Sequence, residues 1–102
     1  MIDDIPQKFQ RQEYEYSLYA VDQSILKHIT RHEVEEAVPS GQILEDCPTD
    51  KHGPSCLIFG MTAAGRPLHV QCTYPTRANV KIITVYEPDP TEWIDFRIRG
   101  PK

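Results

Sequence analysis

The chain has 102 residues, 39% of them hydrophobic and 25% charged, with a formal net charge of -4; this profile fits one globular domain. No stretch reaches the ~18 apolar residues of a membrane span, and the acidic start MIDDIPQKFQ is not a secretory signal, so the expected setting is cytoplasmic. The charge argues against indiscriminate nucleic-acid binding, but residues 1–51 carry 5 Lys/Arg against 11 Asp/Glu and residues 52–102 carry 6 against 4, so a sheet face from the second half would be locally basic.

Residues 1–13 are polar and lack periodicity, and read as a flexible N-terminal arm or a short peripheral helix before a single domain at 14–102. YEYSLYA alternates and reads as a short strand or as the lead into a helix. From Val21 the apolar residues Val21, Ile25 and Ile29 recur every four positions, the stripe of a helix over 21–28 that buries this face. In ITRHEVEEAV, Thr30 is an N-cap with Glu33 at the capping-box spacing. Val34, Ala37 and Val38 are the buried face of that second helix, over 31–38, and Pro39-Ser40-Gly41 ends it.

Beyond Gly41 the pattern is that of strands. QILED, CLIFGMT, PLHVQCTY and VKIITVYEP are strands separated by turn-rich segments, AAGR and PTRAN among them. DPTEWIDFRIRG reads as the start of a last helix capped by Asp89 or Thr91, with Pro90 in its first turn and Trp93 as a packing anchor. The predicted fold is α+β: N-terminal helices packed on one face of a roughly four-stranded antiparallel meander sheet.

Cys47, Cys56 and Cys72 are an odd set without a C-x-x-C pair and read as free thiols rather than as zinc ligands. His28 and His32 are four apart, but the cap at Thr30 breaks the helix between them. Glu45, Asp46 and Asp50 lack the spacing of a calcium loop, and His52 lies in a loop. No metal and no cofactor is expected.

The segment GRPLHVQC carries the candidate chemistry. Strand alternation puts Leu68, Val70, Cys72 and Tyr74 on one face and His69, Gln71 and Thr73 on the other, which counts against a metal shared by His69 and Cys72 unless a bulge intervenes. On the next strand either Ile82, Thr84 and Tyr86 or Ile83, Val85 and Glu87 face outward. With the first set outward, His69 lies near Thr84 or Tyr86, and Arg66, Arg77 and Lys81 stand at the strand ends. That is a constellation for metal-independent RNA cleavage: His69 as general acid or base, Tyr86 as positioning group or proton donor, and Arg66 with Arg77 or Lys81 binding phosphate. The alternative is a solvent-facing histidine beside ordinary surface cations.

EVEEAV…GQILEDCPTDKHGPSCLIFGMTAAGRPLHVQC, followed by IITVYEPDPTEW, resembles a large family of small bacterial domains of unknown function, over residues 14–97. That family is similar to the RelE-like and BrnT-like toxins, which cleave RNA without metal. The resemblance implies a toxin ribonuclease of a toxin–antitoxin pair, with RNA as substrate and a small zinc-binding helix-turn-helix antitoxin as partner. Many members carry a His-Ala pair and two following arginines where this chain has Tyr19-Ala20, Gln23 and Lys27, and Lys27 lacks the bidentate grip of a guanidinium. A weakened or inactive ribonuclease is therefore expected. The alternative is a non-catalytic protein-interaction module.

Overall fold

The change of periodicity after Gly41 is the boundary between helices and sheet in an α+β computed structural model that describes residues 4–49, 51, 53–74 and 79–100. The chain forms α1 (Ile5–Gln10), β1 (Tyr14–Tyr16), α2 (Leu18–Leu26) and α3 (Arg31–Ala37). Strands β2 (Gln42–Cys47), β3 (Ser55–Met61), β4 (Pro67–Thr73) and β5 (Val80–Tyr86) follow, then a small hairpin of β6 (Trp93–Ile94) and β7 (Ile98–Arg99).

Strands β2 to β5 form the expected antiparallel meander, but the sheet is five-stranded and mixed, in the order β1-β5-β4-β3-β2. The fifth strand is β1, which pairs in parallel with β5. Ser17, just after it, donates its N–H to the Ile82 carbonyl at 2.9 Å. The alternation of YEY marks this strand, as one of the two expected readings, but its parallel partner is distant and has no local signal.

Directly opposed pairs share a face, so Cys56 with Cys72 and Ile58 with Val70 point toward the helices, while Phe59 with His69 point away. On β5 the alternation is interrupted. Gln71 pairs with Thr84 but Cys72 pairs with Ile82, which leaves Ile83 as an extra residue. Ile82 and Val85 therefore both enter the core beneath the helices, and Thr84 and Tyr86 take the opposite face. Neither three-residue set expected for this strand is kept.

Thr30 and Glu33 make both hydrogen bonds of the capping box, and Val34, Ala37 and Val38 are buried as expected. The helix sits directly on β3 because Gly60 has no side chain: a Cβ there would lie 2.0 Å from the Ala37 carbonyl oxygen. The N-terminal segment takes the helical alternative, as α1. Ile5 and Phe9 of α1 are buried in the core, and Phe9 stacks on Tyr14 with ring centroids 4.5 Å apart.

Two further expectations are corrected. The stripe is divided: Ala20 is the buried residue of α2 and Ile29, just past its end, is buried too, whereas Val21 is 37% and Ile25 68% exposed. Ser17 sets this rotation. Its Oγ accepts from the Ala20 N–H, capping α2, and donates to the Ile83 carbonyl, tying the first turn to β5. The described residues of the C-terminal segment form no helix. Asp89 accepts from the N–H and the hydroxyl of Thr91, both at 2.8 Å, and closes one turn. Asp95 and Phe96 then adopt positive φ, 53° and 61°, and reverse the chain into β7, with the Arg97 N–H donating to the Ile94 carbonyl at 3.1 Å.

Candidate functional site

The sheet face away from the helices carries the row Phe59, His69 and Tyr86, one residue from each of β3, β4 and β5. The β6–β7 hairpin covers it. Trp93 stands edge-on to His69 at 4.4 Å between centroids, Arg99 lies over Trp93 and Arg97 over Phe59, each at 4.8 Å. Arg99 is held by a two-point bond to Glu45 of β2, at 2.7 and 3.1 Å.

His69 is fully buried, not solvent-facing. Its Nε2 lies 2.6 Å from the Phe96 carbonyl oxygen, and its Nδ1 lies 3.2 Å from the Tyr86 hydroxyl. A carbonyl only accepts, so the neutral ring carries its proton on Nε2, and Nδ1 accepts from Tyr86. Burial lowers the imidazole pKa, and the Phe96 carbonyl only partly opposes this. Burial likewise raises the pKa of the Tyr86 phenol. In this arrangement both ring nitrogens are occupied by protein atoms.

The candidate phosphate-binding residues do not converge on that row. Arg66 donates Nη1 and Nη2 to the carbonyls of His28 and Lys27, both at 2.9 Å, beyond the end of α2. It also pairs with Glu33 and Glu87, each at 3.2 Å. Burial disfavours its charge, but those two carboxylates outweigh it and raise its pKa. Arg66 is a brace between α2, α3 and β5. Lys81 lies at the other end of β5 and faces Glu15 at 3.6 Å. Arg77 lies outside the described residues, as do Asp50 and His52.

Sequence reasoning missed a groove beside α2, lined by Tyr19, Gln23, Lys27, Thr84, Tyr86, Glu87, Asp89 and Glu92. Its signal was the spacing of four between Tyr19, Gln23 and Lys27, which places them on one helix face. A second depression, with Thr73, Lys81 and Ile83, shares Tyr19 and Thr84 with the first. Tyr86 thus joins the buried His69 to an open groove. That groove has one cation, Lys27, against three carboxylates, a poor charge balance for an RNA backbone.

Among the described residues no three His, Cys, Asp or Glu side chains form a group able to hold a metal. His69 and Cys72 lie on opposite faces of the sheet, and no described helix is long and apolar enough to cross a membrane. Comparison with curated proteins and with solved structures found no match. The chain belongs to the DUF4258 family, a domain of unknown function, whose family model matches residues 16–87, from the end of β1 to just past β5.

Proposed function

We propose that this domain is a non-catalytic protein-interaction module, built on a framework that resembles the metal-independent toxin ribonucleases. The observation that carries the reading is the outward face of α2. Leu18 is 87%, Ile25 68% and Leu26 71% exposed, with Tyr19 and Val21 beside them. A nine-residue helix with this much apolar surface in water calls for a partner. Three features of the site support the same reading: His69 is sealed, Arg66 is committed to internal contacts, and the groove at Tyr86 is acidic. The hairpin that seals His69 lies beyond the residues that match the family model.

In this reading the module belongs to a cytoplasmic toxin–antitoxin pair, the setting that the resemblance implies. Affinity purification of tagged wild type and Ile25→Glu from the source organism, with quantitative mass spectrometry, tests the reading. One protein should be retained in near-stoichiometric amount by the wild type and lost with Ile25→Glu. Identical recoveries from the two would overturn it.

One observation favours RNA cleavage as a second reading. The Tyr86 phenol lines the groove and touches His69 at 3.2 Å, so it could pass a proton to the buried imidazole while substrate remains outside.

A further inference from the structure

Asp22 stands in the middle of the apolar face of α2. Leu18 lies one turn before it, and Ile25 and Leu26 one turn after, at the spacings that make helical residues neighbours. Asp22 is exposed, and its side chain makes no ion pair or hydrogen bond among the described residues. In a surface that otherwise reads as half of an interface, a lone carboxylate restricts what can cover it. Buried without a counter-charge it would weaken docking strongly, because a desolvated unpaired charge is costly.

This decides between occupants. In a two-fold pairing of α2 with a second copy, the same patch meets itself. Asp22 is the central residue of the helix, so the two carboxylates would be brought together. A heterologous partner with a cation at that point turns the same carboxylate into an attraction. The flank of α2 adds to the bias. Asp89 and Glu92 line the groove along its Tyr19–Gln23–Lys27 side, beside a Glu87 already paired with Arg66, so with Lys27 as the groove's one cation the field beside the helix still favours an incoming positive charge.

Resting on the interaction-module reading, we infer that the outward face of α2 docks an amphipathic helix of another protein that carries a lysine or arginine within its apolar stripe. Leu18, Val21, Ile25 and Leu26 receive the stripe, and Asp22 receives the cation. This is the helix-in-groove mode of recognition, with charge fixing the register.

Two labelled synthetic helical peptides test this by fluorescence anisotropy. Both carry the same leucine stripe, one with a central lysine and the other with a central glutamate. The lysine peptide is expected to bind wild type at least about tenfold more tightly, a preference worth ~1.4 kcal/mol. Asp22→Asn is expected to shrink the preference to about twofold or less, and Ile25→Glu to abolish binding of both. Both positions are exposed, and circular dichroism confirms that the variants fold. If the peptides bind equally well and Ile25→Glu abolishes both, the charge assignment is overturned while the interaction reading stands. Self-association of the wild type, lost in Ile25→Glu on sedimentation, overturns it in favour of a second copy. Failure of both peptides to bind a monomeric wild type overturns the inference, while a stoichiometric partner lost with Ile25→Glu would still leave the interaction reading in place.

Discussion

Replacing His69 with alanine should release the C-terminal hairpin. The ring is fully buried, so its removal leaves a cavity, and it also removes the donor to the Phe96 carbonyl and the edge contact with Trp93. Emptying a fully packed aromatic site costs about 3–5 kcal/mol, and an unmet carbonyl adds about 1 kcal/mol. The hairpin lies at the surface, however. It can open locally and rehydrate the carbonyl, which limits the loss. The expected net destabilisation is about 2–4 kcal/mol, a large part of the ~5–15 kcal/mol typical of a domain, with a fall in Tm of about 10–25 °C. Trp93, the one tryptophan in the chain, reports the local event. Its emission should shift to the red and become open to quenching by acrylamide before the sheet melts. His69→Gln keeps a side-chain N–H for the carbonyl and should recover part of the loss. Stability within about 0.5 kcal/mol of wild type in urea, with unshifted Trp93 emission, would refute the clasp.

The depressed pKa of His69 makes stability depend on pH. Above the ordinary value of 6.5 neither state binds the proton and the full stability is present. As the pH falls below it the unfolded state is protonated first, and stability is lost until the pH reaches the lowered folded value, by up to ~1.4 kcal/mol per unit for this proton. Urea midpoints of wild type and His69→Gln at several pH values between 7.5 and 5 check this; parallel profiles would contradict it. Gly60→Ala places a Cβ 2.0 Å from the Ala37 carbonyl oxygen and should cost about 2–3 kcal/mol as α3 is forced off β3; a neutral result in urea unfolding would mean that α3 is not seated there. Arg66→Met should cost about 1–3 kcal/mol, because it abandons two carbonyls and two carboxylates at once. Arg66→Lys should not restore it, since an ammonium cannot span those four acceptors; full recovery in thermal melts would contradict the brace.

Much of the sheet was legible in the sequence because its strands alternate cleanly between two environments. Leu68, Val70 and Cys72 read as core and are core; Thr30 and Glu33 read as a capping box and form one. The misreadings have physical causes. Periodicity shows that Val21 and Ile25 share a face but not which way it points, and the hydrogen bonds of Ser17 turn it outward. The bulge at Ile83 puts Ile82 and Val85 on the same side, which alternation forbids. The final hairpin turns on Asp95 and Phe96 in positive φ, without a glycine to mark the reversal. Of the candidate site, the proximity of His69 and Tyr86 was legible from neighbouring strands. The burial of His69 was not, because its cover comes from that unmarked hairpin, nor was the engagement of Arg66 by α2, α3 and β5.

The central claim, that this framework binds and does not cut, is tested most directly by incubating purified wild type with a mixed-sequence RNA in the presence of chelator and examining the ends of the products. The account expects no cleavage above a no-protein control. Fragments ending in a 2′,3′-cyclic phosphate, formed by the wild type at a rate that falls by ~10²–10⁴ in His69→Gln, would contradict it and make His69 and Tyr86 catalytic.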